Sequence, residues 1–201
     1  MHDIADLGRF RSTGAVYTPL EVAVPLTKLA LSKLNVGALK ILEPSVGDGF
    51  FLSALQSFLP TPPEITAVDI DEHVVLQLDE HFRDQFHSSS KFLCMDFLEY
   101  SETLVGEKYD LIIGNPPFIG KKDFSISLRE NLIRLSKNLE YDPKQLKNAW
   151  AAFVLASHEL LTPSGVLAFI VPFELLTVSY GKFLQKSVFH RFERVDIFVP
   201  D

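Results

Sequence analysis

Leu42-Glu43-Pro44-Ser45-Val46-Gly47-Asp48-Gly49-Phe50-Phe51-Leu52 is the stretch on which the fold turns. It closes an apolar run that starts at Ala38 and opens the helical run Phe50–Phe58, so a buried strand passes into a helix through a turn with two glycines. The same alternation recurs outward from there. Ile65–Ile70 reads as a second strand, followed by Asp71 as a helix cap and by Val74, Val75, Leu78, Phe82 and Phe86 at helical spacing. Phe92–Cys94 is a short third strand and Tyr109–Ile113 a fourth, almost wholly apolar. Asp142-Pro143 has the cap-then-proline form of a helix start. That helix carries Leu146, Trp150, Phe153, Val154, Leu160 and Leu161 and stops at Thr162-Pro163-Ser164-Gly165. Val166–Val171 follows as a fifth strand, Tyr180–Val188 as a helix and Val195–Val199 as a sixth strand. Apolar strands alternating with helices predict an α/β fold, a parallel sheet covered on both faces. One domain over residues 38–201 is expected, preceded by an N-terminal arm and helix over residues 1–37 that packs on it.

Composition narrows the setting. The 201 residues are 47% hydrophobic and 22% charged, ordinary for a globular chain and unlike a fibrous repeat or a disordered tail. No apolar stretch reaches the roughly 18 residues a membrane span needs. The strongest run, Val166–Leu176, is interrupted by Pro172 and Glu174. The first residues lack the basic start and apolar core of a signal peptide, so a cytoplasmic location is expected. Cys94, the single cysteine, forms no internal disulfide and reads as buried strand packing rather than as a nucleophile. The six histidines show no metal-ligand grouping, and no metal is expected. A net charge of −7 argues against holding nucleic acid by bulk charge. The chain stops directly after a strand candidate, so a longer parent protein is expected.

In such sheets ligands bind beyond the carboxyl ends of the strands. Gly47 and Gly49 let the backbone run close to a ligand, but the third glycine of a dinucleotide fingerprint is replaced by Leu52. Asp69 ends the second strand, where a carboxylate accepts both hydroxyls of a ribose. Glu43, ahead of the turn, repels a pyrophosphate and attracts an ammonium group. S-adenosylmethionine meets these demands: a ribose for Asp69, an amino group for Glu43, and a sulfonium that tolerates acidic surroundings. Its carboxylate suits the N–H groups opening the Phe50 helix. Asp96 is placed to accept from the adenine amino group, with Ile70 and Phe97 against the ring. Taken singly, the glycines also fit a plain tight turn and the acids also fit helix caps.

The fourth strand runs into Gly114-Asn115-Pro116-Pro117-Phe118. Two prolines stiffen this loop and remove its N–H donors, leaving it rich in carbonyl acceptors. That suits a substrate that donates, such as an exocyclic amino group held by the Asn115 side-chain oxygen and the Pro116 carbonyl. Phe118 is placed to stack on a planar substrate. Methyl transfer is then a direct displacement helped by positioning and electrostatics.

These residues resemble the adenine-N6-specific DNA methyltransferases of the TaqI-like kind, with the gamma order of motifs. Tyr17-Thr18-Pro19 is similar to that family's N-terminal motif, in which the threonine region contacts the methionine part of the cofactor. Glu43-Pro44 with Gly47 and Gly49 resembles its first cofactor motif, Val68-Asp69-Ile70-Asp71 the ribose motif, Asp96-Phe97 the adenine motif, and Asn115-Pro116-Pro117-Phe118 the catalytic motif. Ala152-Phe153 and Leu161 to Pro172 look like later structural motifs, so the resemblance spans residues 14–176. It implies a Rossmann-like S-adenosylmethionine-dependent methyltransferase sheet of seven strands, helices on both faces, with the C-terminal strand or strands missing here. It implies transfer to N6 of an adenine flipped out of double-stranded DNA, S-adenosylhomocysteine as product, and a restriction-modification or defence setting. DNA would be held through a C-terminal target-recognition domain that residues 38–201 lack, or through a partner subunit.

Residues 121–147 depart from the acidic balance, with seven basic side chains against four acidic. Lys121, Lys122 and Arg129 beside the loop are candidates for phosphate contacts, a solvated helix face being the other reading. Trp150 and most phenylalanines read as core. Three alternatives share the loop chemistry: a protein glutamine N5-methyltransferase, an RNA base N-methyltransferase, and a catalytically silent cofactor-binding subunit.

Overall fold

A computed structural model describes residues 18–34, 39–104, 106–138, 148–172 and 189–199. Strands β1 (Lys40–Glu43), β2 (Glu64–Asp69), β3 (Lys91–Cys94), β4 (Tyr109–Gly114) and β5 (Leu161–Phe169) form one parallel sheet in the order β3-β2-β1-β4-β5. Between them run helices α1 (Leu20–Leu31), α2 (Phe50–Phe58), α3 (Glu72–Phe82), α4 (Phe97–Thr103), α5 (Ile126–Asn138) and α6 (Ala149–Glu159). The expected Rossmann-like α/β sheet is therefore present.

Neighbouring residues of each central strand feed opposite cores, as the two-residue period requires when both faces are covered. Ile41, Ile65 and Leu111 pack with Ala23 of α1, Leu52 and Leu55 of α2 and Leu78 of α3. Leu42, Val68 and Ile112 pack on the other face with Phe97 of α4, Leu132 of α5 and Trp150 of α6. Successive strands step outward from β1 to β3, then the chain returns to place β4 on the other side of β1. Right-handed crossovers put the helices of the two halves on opposite faces. The reversal between β1 and β4 is the topological switch point, where open α/β sheets bind ligands.

Several boundaries differ from the sequence reading. Asn148 caps α6, its side-chain oxygen accepting the Trp150 N–H at 3.3 Å. The expected start at Asp142-Pro143 lies outside the described residues, as does the Tyr180–Val188 helix. Thr162-Pro163-Ser164-Gly165 does not form a separate turn but sits inside β5 as an irregularity, the register jumping from Tyr109↔Leu161 to Leu111↔Val166. Val195–Val199 is not a strand: it joins no ladder, and Ile197 and Phe198 remain 47% and 65% exposed. An apolar run without a partner to receive its hydrogen bonds gains little from extension. Cys94 is exposed rather than buried, because β3 is the edge strand and is covered on one side only. Among the described residues no helix is long and apolar enough to cross a membrane, and no group of His, Cys, Asp or Glu is placed to hold a metal.

Candidate active site

Adjacent strands lie about 4.8 Å apart, so the carboxyl ends of β3, β2, β1 and β4 set Asp96, Asp69, Glu43 and Asn115 side by side along about 14 Å. The turn after β1 is built by its neighbours. The Val46 N–H reaches the Val68 carbonyl at 3.0 Å, and the Gly49 N–H closes back on the Val46 carbonyl at 3.0 Å. Gly47 and Gly49 both have positive φ, 49° and 71°. Their surroundings differ. A Cβ on Gly47 would meet nothing within 4 Å, whereas one on Gly49 would lie 2.7 Å from Leu78 Cδ2. Gly47 is thus the open position. At Gly49 the bare backbone leaves room for Leu78 and Phe82 of α3.

Asp69 ties this turn to β2, one oxygen accepting the Gly47 N–H at 2.9 Å and the other the Asp71 N–H at 3.0 Å. Each oxygen keeps a further lone pair for a ribose hydroxyl. Beside it Ile70 is 59% exposed, an apolar side chain standing free where a ring would lie. Asp96 caps α4, accepting the Leu98 N–H through Oδ1 at 2.8 Å. The second Asp96 oxygen accepts no hydrogen bond among the described residues. Phe97 is buried, its ring against that of Phe153 with centroids 5.0 Å apart.

Glu43 is the most informative group. It is 1% exposed, and neither carboxylate oxygen has a hydrogen-bond partner among the described residues. Burial, reinforced by the negative charge of Asp69, pushes its carboxyl well above the usual range. Asp48 is pushed up as well, by partial burial and then by Asp69. A buried carboxylate without a partner is costly, and a cationic ligand removes the cost. The donor set therefore fits S-adenosylmethionine, whose ammonium would meet Glu43. Pro44 is buried beside it, and Thr18 is buried just ahead of α1; Tyr17 lies outside the described residues.

The acceptor loop is joined directly to this turn. The Ser45 hydroxyl donates to the Asn115 carbonyl at 3.0 Å, and the Ile170 N–H donates to the Gly114 carbonyl at 3.1 Å. Pro116 is buried, Asn115 and Pro117 are half-buried, and Phe118 packs partly on the core beneath α6. Beyond the loop, Gly120 bridges to Asn148 and the Ala149 N–H reaches the Ile119 carbonyl at 2.9 Å. Lys121 and Lys122 lie exposed on the turn that follows. Arg129 is engaged otherwise: its guanidinium donates to the carbonyls of Phe124 and Lys121, both at 3.2 Å, and lies over the Phe124 ring.

Residues 24–197 match the family described as Eco57I restriction-modification methylase. The chain belongs to this family. It is 29% identical over 170 residues to the Type II methyltransferase M.AccI of Acinetobacter calcoaceticus, covering 84% of this chain and 29% of that one. It is also 27% identical over 135 residues to a tRNA1(Val) (adenine(37)-N6)-methyltransferase of Shewanella halifaxensis, covering 66% of this chain and 51% of that enzyme. The fold is similar to a type I restriction-modification methyltransferase subunit of Streptococcus thermophilus, with a TM-score of 0.67, 21% identity, and 92% and 41% of the two chains covered. The chain thus spans less than a third of M.AccI. Ser45 carries no local sequence signal for its contact with the acceptor loop, because its partner lies 70 residues away.

Proposed function

We propose that this chain is the catalytic part of a DNA methyltransferase that moves a methyl group from S-adenosylmethionine to the N6 amino group of an adenine flipped out of double-stranded DNA. The observation that carries the reading is Glu43, a buried carboxyl with both oxygens unpartnered among the described residues, next to Asp69 and beside the acceptor loop. The strand order supports it, because Asp96, Asp69 and Glu43 follow one another as adenine, ribose and amino acid do along the cofactor, with Asn115 on the next strand. The cofactor supplies an electrophilic methyl carbon. Asp96 accepts from the adenine amino group, Ile70 covers the ring, Asp69 takes the ribose and Glu43 the ammonium. Gly47 leaves the backbone open beneath, and Pro44 walls the turn. Thr18, with Tyr17 before it, faces the methionine part.

On the acceptor side, the Asn115 side-chain oxygen and the Pro116 carbonyl take the two N–H bonds of the amino group. That turns the nitrogen lone pair out of conjugation and toward the methyl carbon. Pro117 holds the loop rigid, and Phe118 stacks on the flipped base. The work is positioning and charge placement in a partly dry site, without a covalent enzyme intermediate. Lys121 and Lys122 are placed for phosphates next to the flipped base. The remaining DNA contacts belong to a target-recognition domain or partner subunit.

Labelled cofactor offered duplex DNA, tRNA and a glutamine-bearing release factor separates the candidate acceptors. Label on DNA adenine is expected, and Asn115→Ala lowers transfer by about 100-fold or more. Label on protein alone contradicts the proposal. Label on tRNA alone favours the second reading, an RNA adenine methyltransferase, which the Shewanella halifaxensis similarity supports. Transfer unaffected by Asn115→Ala marks the chain as a silent cofactor-binding subunit.

A further inference from the structure

Loop residues 114–117 must hold two acceptors in a fixed direction, yet their prolines leave few handles for doing so. Pro116 has no N–H, so the peptide between Asn115 and Pro116 can be gripped only by its oxygen. That oxygen accepts the Ser45 hydroxyl at 3.0 Å. The preceding carbonyl, of Gly114, is held by Ile170, while the Pro116 carbonyl accepts no hydrogen bond among the described residues. The two loops also touch here, since a Cβ on Gly114 would lie 3.4 Å from Pro44 Cδ and 3.8 Å from Ser45 Oγ.

We infer that Ser45 is a positioning residue: by holding the Asn115 carbonyl it fixes the Asn115–Pro116 peptide plane, and so aims the Asn115 side chain and the Pro116 carbonyl from the cofactor turn. The inference rests on the proposed role of those two groups as acceptors of the amino group. Rotation about the Asn115 ψ angle would swing the Pro116 carbonyl away from the Asn115 side chain, and the Ser45 bond to the Asn115 carbonyl opposes that rotation. Ser45 belongs to the same rigid turn as Glu43 and Gly47, so its bond sets the acceptor loop in register with the cofactor's side of the site. The Asn115 carbonyl is correspondingly committed to the fold, which leaves the next carbonyl to face substrate.

The test compares Ser45→Ala and Ser45→Thr in the whole protein. Ser45→Ala is expected to lower kcat about tenfold, the cost of one misdirected hydrogen bond, with cofactor affinity within about twofold of wild type. Hydrogen–deuterium exchange of the amides over residues 118–120 rises in Ser45→Ala at an unchanged melting temperature, and Ser45→Thr restores both exchange and kcat. The exchange measurement needs no methyl acceptor, so it stands even if DNA proves to be the wrong substrate. Wild-type kcat and exchange in Ser45→Ala overturn the inference. A parallel fall in cofactor affinity or melting temperature overturns it too, because Ser45 then serves the cofactor or the fold.

Discussion

Lys40 and Glu43 are the first and last residues of the same four-residue strand, and the fold treats their charges in opposite ways. Lys40 stands at the amino end of β1 among partners. Its ammonium pairs with Glu107 and with Glu64 at 3.4 Å, and lies 5.4 Å from the centroid of the Tyr109 ring. Its backbone N–H reaches Asp110 Oδ2 at 3.0 Å. The hydrogen bond with Glu107 raises the Lys40 pKa and lowers that of Glu107. Glu43, at the carboxyl end, is more deeply buried and has no hydrogen-bond partner among the described residues. A charge with partners fastens the sheet; a buried carboxyl without one suits the cationic ligand proposed for it.

The largest test of that contrast is Glu43→Gln. Cofactor affinity should fall about 100-fold, because one half of a buried ion pair is lost, while the ligand-free protein becomes no less stable at neutral pH. Calorimetric titration and denaturant unfolding read the two effects; unchanged affinity would end the assignment. Next come the glycines. Gly49→Ala should destabilise by about 2–3 kcal/mol, through positive φ and the collision with Leu78. Gly47→Ala should cost only about 1 kcal/mol of stability but weaken cofactor binding. Equal effects from the two would erase the distinction between a packing glycine and an open one.

The two ends of β1 also titrate with opposite sign. Glu43 keeps its proton in the folded state above the ordinary value of 4.5, so unfolding releases it. Stability of the free protein therefore falls as pH rises from 4.5 toward the folded pKa, by at most about 1.4 kcal/mol per pH unit. If Glu43 takes the cofactor's ammonium as proposed, cofactor affinity should climb over the same interval, with proton release, because the ammonium favours ionised Glu43. Glu107, held low by Lys40, contributes stability above 4.5 that is lost as pH falls through its folded value. Unfolding across pH in wild type and Glu43→Gln checks this, since the Gln variant should lose the decline. The smallest effect is that of Lys40→Met, about 1 kcal/mol of stability for a partly exposed network, with cofactor affinity unmoved.

Much of this was legible in the sequence. Strands β1, β2 and β4 follow from apolar runs buried on both faces, β3 and the later part of β5 from short apolar runs at less buried positions, and Phe50–Phe58 has the predicted bounds because its start is marked by the Gly49 turn. The order of acids at the strand ends follows from the same pattern. What escaped depended on distant partners. Leu78, which gives Gly49 its meaning, and Asn115, which gives Ser45 its meaning, lie 29 and 70 residues along the chain. The contact of Phe97 with Phe153 of α6 likewise joins residues far apart in the chain. Val195–Val199 has the composition of a strand but no described ladder to join, and Cys94 is exposed only because β3 falls at the edge.

The most direct test is a crystal structure with S-adenosylhomocysteine. The account predicts the amino group on the Glu43 carboxylate, the ribose on Asp69, the adenine between Ile70 and Asp96, and the sulfur turned toward Asn115. A ligand lying elsewhere, or one whose amino group leaves Glu43 without a partner, would contradict it.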